Sequence, residues 1–90
     1  MLPEDDNIIN NLSRLQWACR RGMLELDVLL GNFLKAAYLN LSIEDKLLFV
    51  KLLGCTDPEL FDWLMGHSKP EDAELDRMIE MIRRHAPTRF

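Results

Sequence analysis

Glycine and proline residues divide this chain into short segments, and their spacing limits the fold more than any other feature of the sequence. The breaks lie at Gly22, Gly54, Gly66, Pro70 and Pro87. Between them, apolar residues recur every three or four positions, which is the period of one face of an α-helix, and no segment shows the alternation of a β-strand. The sequence therefore predicts an all-α fold, a compact bundle of five short helices joined by connections of a few residues.

Each segment carries an apolar stripe that we expect to face the core. The predicted N-caps are Asp6 or Asn7 for the first helix, Ser42 with Asp45 for the third, and Asp57 for the fourth. The predicted core stripes, in chain order, are Ile8, Leu12, Leu15 and Cys19; Leu26, Leu29, Leu30, Phe33, Leu34 and Ala37; Leu47, Leu48, Val50 and Leu52; Leu60, Phe61, Leu64 and Met65; and Leu75, Met78, Ile79 and Ile82.

The length of the chain, 90 residues, allows one domain with one small core. We predict a single helical domain over residues 1–90, with flexible tails at 1–7 and 86–90. No apolar run approaches the roughly 18 residues that a membrane span requires, so membrane insertion is not expected. The first residues are acidic, whereas a secretory signal begins with basic residues, and we therefore expect a cytoplasmic, bacterial protein.

The charge of the chain argues against a nucleic-acid partner. There are 11 basic and 15 acidic side chains, which give a formal net charge of −4, and the pI is near 5.0. Binding to a phosphate backbone needs Lys and Arg clustered on one face, and the acidic middle of the sequence does not provide such a cluster. We therefore expect no nucleic acid among the partners.

No pattern of catalytic residues stands out. The sequence has no Gly-rich phosphate loop, no nucleophile elbow and no HExxH motif. Its two cysteines, Cys19 and Cys55, lie far apart without a CxxC pair, so we predict buried, reduced thiols and no metal site. An enzyme with Cys19 as its nucleophile ranks third among the alternatives, because Cys19 belongs to a predicted core stripe. We accordingly predict no catalytic residue.

One aromatic side chain of the first helix points away from the predicted core. At 100° per residue, Trp17 lies roughly 170° from the stripe that ends at Cys19. Arg14 and Arg21 flank it on the same outer side, and an indole beside guanidinium groups is typical of a binding hot spot. The alternative is that another helix or the N-terminal tail covers Trp17 and the arginine stems stack on it. We favour the interface, and we add Met23, in the adjoining turn, to the candidate partner-binding residues.

The turn after the first helix contains the pattern RGxxE, formed by Arg21, Gly22 and Glu25. Gly22 suits the left-handed backbone that ends a helix. Glu25 lies at the start of the second helix, where the helix dipole favours a carboxylate. Local architecture alone could explain each of these residues, so the pattern taken by itself is a weak signal of function.

Two stretches of the chain resemble one known family. Residues 17–27, WACRRGMLELD, and residues 57–67, DPELFDWLMGH, followed by KPED, are similar to the two motif regions of the FAD assembly factors of succinate dehydrogenase, the SdhE family. The resemblance covers nearly the whole chain apart from its two ends. It implies a compact five-helix fold, and it places Arg21, Gly22 and Glu25 on the family's RGxxE contact motif.

The resemblance also implies the role of a chaperone rather than that of an enzyme. Such a protein binds the flavoprotein subunit of succinate dehydrogenase, with fumarate reductase as a further candidate client, and promotes covalent attachment of FAD to a client histidine. FAD then belongs to the client, no cofactor is held stably by this chain, and we expect a monomer. Replacing Arg21 by alanine should leave the fold almost intact and weaken client binding by at least about 1 kcal/mol. An antitoxin-like regulatory module is the alternative function.

Overall fold

Five α-helices and one 3₁₀ turn form the described part of the chain, which in the computed structural model comprises residues 9–85. The elements are α1 (Leu12–Ala18), α2 (Leu24–Ala36), the 3₁₀ turn (Tyr38–Asn40), α3 (Ile43–Leu53), α4 (Asp57–Leu64) and α5 (Ala73–Arg84). Residues 9–85 contain no β-strand, and the predicted all-α, five-helix fold is confirmed. The predicted tails at 1–7 and 86–90, the predicted caps Asp6 and Asn7, and Ile8 of the first predicted core stripe lie outside the described residues.

The core lies where α2 and α5 meet the other helices. α2 packs against α1, α4 and α5, and α5 also packs against α3. The rings of Phe33 and Tyr38 both pack against Phe49, with ring centroids 5.4 and 5.5 Å apart, and all three side chains are fully buried. The stripes predicted for the second and fifth helices are confirmed as buried: Leu26, Leu29, Leu30, Phe33, Leu34 and Ala37, and Leu75, Met78, Ile79 and Ile82.

The N-caps of α3 and α4 differ in part from the prediction. The Ser42 hydroxyl accepts a hydrogen bond from the backbone N–H of Asp45, as predicted, but the Asp45 carboxylate pairs with Arg77 on α5 instead of completing a capping box. The N-cap of α4 is Thr56, not Asp57, and Thr56 forms a complete capping box with Glu59. The bonds from the Thr56 backbone and hydroxyl hold the pKa of the Glu59 carboxyl below its ordinary value of 4.5.

The first predicted stripe is only partly correct, because the chain leaves the helical conformation at Asn11 (φ −101°, ψ 87°) and α1 begins after it. Leu15 and Cys19 are buried, but Leu12 is 38% exposed. Ile9 is buried before the break, and its carbonyl accepts a 2.8 Å hydrogen bond from the Tyr38 hydroxyl. Helical periodicity therefore cannot be extended from one side of Asn11 to the other.

The stripes of the third and fourth helices are shifted from their predicted faces. In α3, Leu48 and Leu52 are buried as predicted; Phe49 and Leu53 join them, while Leu47 and Val50 are half-buried. In α4, Leu60 and Leu64 are buried, whereas Phe61 and Met65 are half-buried. Cys55, predicted to be buried, is half-buried in the connection between these helices. None of the helices in residues 9–85 combines the length and the apolar character needed to cross a membrane.

Candidate partner-binding site

The connection between α1 and α2 turns sharply at Gly22. Its φ of +86° lies in the left-handed region that glycine tolerates without strain. A Cβ added at Gly22 would meet no atom within 4 Å, so the backbone is open to an approaching molecule. The prediction of a left-handed Gly22 is confirmed, although α1 itself ends earlier, at Ala18.

Trp17 is exposed, as predicted from its position on the first helix. Its side chain is 75% exposed, the largest exposed fraction among the large apolar side chains of residues 9–85. The guanidinium carbon of Arg20 lies 6.0 Å from the centroid of the indole, within the range of a cation–π contact. No helix covers the indole in the described part of the chain. The arginine that accompanies it is thus Arg20, which the helical projection did not select.

Arg21 does not flank Trp17 on the surface, and the prediction of its outward position is wrong. Its guanidinium points inward: Nε donates to Oδ1 of Asp57 at 2.8 Å, and the side chain is only 17% exposed. The 100° projection fails at Arg21 because α1 ends at Ala18 and the chain there is no longer helical.

Three backbone carbonyls complete the environment of the Arg21 guanidinium. Nη1 donates to the carbonyls of Ala18 at 3.1 Å and Leu53 at 2.8 Å, and Nη2 donates to that of Cys55 at 2.8 Å. Ala18 and Leu53 are the last residues of α1 and α3, where carbonyls lack partners within the helix and the dipole favours a cation. We call Arg21, Asp57 and these three carbonyls the Arg21 clamp.

The clamp fixes the connection between α1 and α2 against the start of α4. The backbone N–H of Arg21 also donates to Oδ1 of Asp27 at 2.6 Å, which ties the same connection to the first turn of α2. The sequence missed this role of Asp57, which local spacing marked as a helix cap, because its partner lies 36 residues away. Gly22, next to Arg21, is therefore presented on a rigid support.

The remaining candidate residues lie around this turn. Arg14 is exposed on α1. Met23 is the N-cap residue of α2, makes no side-chain capping bond, and packs half-buried against the core. Glu25 is half-buried in the first turn of α2, and its carboxylate makes no hydrogen bond or ion pair within residues 9–85. Leu24, which the sequence reasoning missed, is 72% exposed.

We call the surface formed by Trp17, Arg20, Gly22, Leu24 and Glu25 the α1–α2 corner. It combines exposed apolar side chains, a cation and a carboxylate that has no partner in the described chain. Aromatic and arginine side chains of this kind dominate the binding energy of protein interfaces. The corner can therefore recognise another protein through apolar contact and charge together.

Cys19 is poorly suited to act as a nucleophile. It is 2% exposed, and burial raises the pKa of its thiol to about 12. The thiolate is the reactive form of cysteine, and at pH 8 almost all of the Cys19 side chain is then the protonated thiol. Residues 9–85 contain no group of three His, Cys, Asp or Glu side chains placed to hold a metal ion.

We expect a thiol reagent at pH 8 to modify Cys55 in the folded protein and to reach Cys19 only after unfolding. Cys55 is half-buried, and burial raises the pKa of its thiol as well, so its reaction should be slow but measurable. Mass spectrometry of the peptide that carries each cysteine measures the order of modification. In the Cys55→Ser variant the native protein should stay unmodified, and rapid labelling of its Cys19 would contradict the buried position.

The fold and the corner define a class of small all-α proteins that act through an exposed surface rather than through a catalytic pocket. The comparisons with known proteins assign the family. A model of the family described as flavinator of succinate dehydrogenase matches residues 13–86, and the chain belongs to that family. The resemblance drawn from the two motif regions is thereby confirmed.

Several bacterial relatives share about half of their residues with this chain, and each is named FAD assembly factor SdhE. The protein of Photorhabdus laumondii is 56% identical over 75 residues, which cover 83% of this chain and 85% of the relative. That of Shewanella oneidensis is 57% identical over 76 residues, covering 84% and 93%. That of Idiomarina loihiensis is 51% identical over 84 residues, covering 91% and 93%. These names describe assembly factors, not catalytic enzymes.

Proposed function

We propose that this chain promotes covalent attachment of FAD to the flavoprotein subunit of succinate dehydrogenase, and that it binds this client through the α1–α2 corner. The observation that carries the proposal is Trp17, 75% exposed with the Arg20 guanidinium over its ring, beside the open backbone of Gly22. Membership of the flavinator family and relatives named as FAD assembly factors support the identity of the client.

In this proposal the reacting groups belong to the client. A client histidine nitrogen forms a bond to the 8α carbon of the flavin, and that carbon loses a proton. The flavin is left reduced by two electrons, so the flavin itself is the oxidant. Cys19 is not expected to act as a nucleophile, because its thiol is buried and burial raises its pKa to about 12. It holds no FAD of its own.

The contribution of the chain is then to favour one conformation of the client. A binding protein shifts a conformational equilibrium only as far as it binds one state more tightly than the others. Alignment of the histidine with the flavin can accelerate bond formation strongly, because it removes the entropy of bringing two groups together. The Arg21 clamp supports this role because it holds Gly22 in one place against α3 and α4.

The site of action in this proposal is the bacterial cytoplasm, where one copy of the chain binds one client before the client joins its membrane complex. Gly22 and Glu25 then contact the client directly, with Trp17, Arg14 and Met23 around them, and Arg21 contributes mainly through the clamp. The flavoprotein subunit of fumarate reductase is a second proposed client.

Flavin fluorescence of denatured protein in a gel tests the proposal, because only covalently bound flavin survives denaturation. In cells that lack the native assembly factor, expression of this chain should restore fluorescence to the flavoprotein subunit of succinate dehydrogenase. Gly22→Val should fail to restore it, whereas Arg77→Ala, an exposed change on α5, should restore it fully. Equal fluorescence with and without the chain would contradict the proposal, and the corresponding subunit of fumarate reductase can be followed in the same gel.

A further inference from the structure

A groove of about 370 Å³ runs between α1 and α2, beside the α1–α2 corner. Its lining includes Leu12, Gln16, Arg20, Gly31, Lys35 and Leu39. Leu12 is 38% exposed and Leu39 is 65% exposed, so two of the exposed large apolar side chains of the described chain lie at this groove. The volume is in the range of sites that hold a ligand or a few side chains.

Gly31 leaves this part of the groove open. It lies in the middle of α2, where glycine is less favourable than alanine by about 1 kcal/mol. A Cβ placed on Gly31 would meet no atom within 4 Å, so no side chain of residues 9–85 fills the space above it. The groove is therefore apolar and empty of described side chains at this point.

The charged side chains of the groove give it a positive rim. Arg20 and Lys35 line it, and the one carboxylate that residues 9–85 contribute to the lining, that of Asp27, already accepts a hydrogen bond from the backbone N–H of Arg21. A ligand that fits the groove should combine apolar side chains with negative charge.

We propose that residues 1–8 of this same chain occupy the groove. The segment joins the described chain beside it: Ile9 is hydrogen-bonded through its carbonyl to Tyr38, and Tyr38 is the neighbour of Leu39. Eight residues span at most about 26–29 Å when fully extended, which is ample to cross a groove between two neighbouring helices.

The composition of residues 1–8 matches both the apolar lining and the positive rim of the groove. The segment carries the apolar side chains Met1, Leu2 and Ile8 and the acidic side chains Glu4, Asp5 and Asp6. The segment at the other end, residues 86–90, carries Arg89 and no acidic side chain, so the positive rim disfavours it. Charge thus selects the first segment over the last.

Even a weak affinity suffices for this contact, because the segment and the groove belong to one chain. A short connection between two binding groups produces an effective concentration in the millimolar range. A segment that binds with a Kd near 1 mM is then docked about half of the time. Residues 1–8 precede the stretch matched by the family model, residues 13–86, and the groove shares Arg20 with the α1–α2 corner.

A spin label on the segment measures its position in the intact chain. The label is placed at Pro3→Cys in a Cys55→Ser background, where the buried Cys19 stays unlabelled. Docking should weaken the amide signals of Gly31 and Lys35 by more than about twofold, as expected for a site occupied half of the time, and spare Arg77 on α5. A label at Thr88→Cys is the matched control and should spare the groove.

Two further variants separate docking in the groove from proximity to it. Gly31→Leu fills the open space with a good helix former and should abolish the weakening at Lys35 without unfolding the protein. Replacing the three acidic residues together, as Glu4→Gln, Asp5→Asn and Asp6→Asn, should reduce the weakening of the Lys35 signal. Salt at 1 M should reduce it as well, because the screening length falls to about 3 Å.

Three results would overturn the proposal. The first is equal weakening of the signals at the groove and on α5, which would mean that the segment has no preferred position. The second is a weakening of the Gly31 amide signal by the label at Thr88→Cys, which would assign the groove to the last residues. The third is a weakening of the groove's amide signals in an isotope-labelled chain when the spin label is on a separate chain. That result would assign the groove to a second copy.

Discussion

Replacing Arg21 with alanine is expected to lower the free energy of unfolding by about 3 kcal/mol, because it leaves the Asp57 carboxylate and three carbonyls without their donor. For a domain of this size such a loss lowers the Tm by roughly 12–24 °C. Thermal denaturation followed by circular dichroism measures it. The expectation drawn from sequence, an almost intact fold, assumed a surface position that Arg21 does not have.

Arg77→Ala is the matched control for Arg21→Ala. Arg77 also pairs with an aspartate, Asp45, at 2.9 Å, but its side chain is 49% exposed, and exposed pairs contribute about 1 kcal/mol at most. Arg21→Lys should lie between the two, because lysine keeps the charge but cannot reach several acceptors with a planar fork. A Tm of Arg21→Ala as high as that of Arg77→Ala would show that the clamp does not stabilise the fold.

Replacing Trp17 with alanine is expected to weaken client binding while leaving the stability of the fold almost unchanged. Because the indole is 75% exposed, the free energy of unfolding should change by less than about 0.5 kcal/mol. Binding to the purified flavoprotein subunit should weaken by at least about 2 kcal/mol, or roughly 30-fold in Kd, as for an aromatic residue at the centre of an interface. Titration calorimetry measures the Kd, and circular dichroism checks the fold.

Ile43→Ala is the control for Trp17→Ala. Ile43 is 62% exposed, a comparable apolar side chain, but it is the first residue of α3 and lies outside the α1–α2 corner. Its loss should leave the Kd unchanged. An unchanged Kd for Trp17→Ala together with weaker binding for Ile43→Ala would place the interface on a different face and would refute the proposed role of the corner.

The two predictions also separate two ways in which a residue of the RGxxE motif can act. Arg21 stabilises the turn from within the clamp, whereas the Glu25 carboxylate makes no hydrogen bond or ion pair with residues 9–85. If Arg21→Ala loses client binding only at temperatures where it unfolds, its role is confined to holding Gly22 and its neighbours in place. Loss of binding well below the Tm would instead indicate a direct contact of Arg21 with the client.

Much of the fold could be predicted from sequence because the relevant signals are local. The stripes of α2 and α5 follow from helical spacing over ten or more residues, and both are buried as predicted. Gly22 follows from the need for a positive φ after a helix, and Trp17 from its angle to the core stripe. Spacing was less reliable where helices are short, as in α1, since a break at Asn11 changes which face of the helix is buried.

The candidate site was harder to predict, because its geometry depends on contacts between distant parts of the chain. The family and the motif were recognisable, and so was the exposed indole. The inward direction of Arg21, the identity of Arg20 as the neighbour of the indole and the exposure of Leu24 were not. No local pattern states which of two adjacent arginines turns inward.

The sequence by itself determined that this chain is a small all-α domain of five helices, that it belongs to the SdhE-like flavinator family, and that Trp17 faces outward. Only the tertiary structure decided that Arg21 is a support rather than a surface charge, and that a groove lies open above Gly31. The physical reason is how far apart in the sequence the interacting residues lie. Helices, caps and turns follow from residues within a few positions of each other, whereas Arg21 finds Asp57 36 residues away, once α1, α3 and α4 have packed.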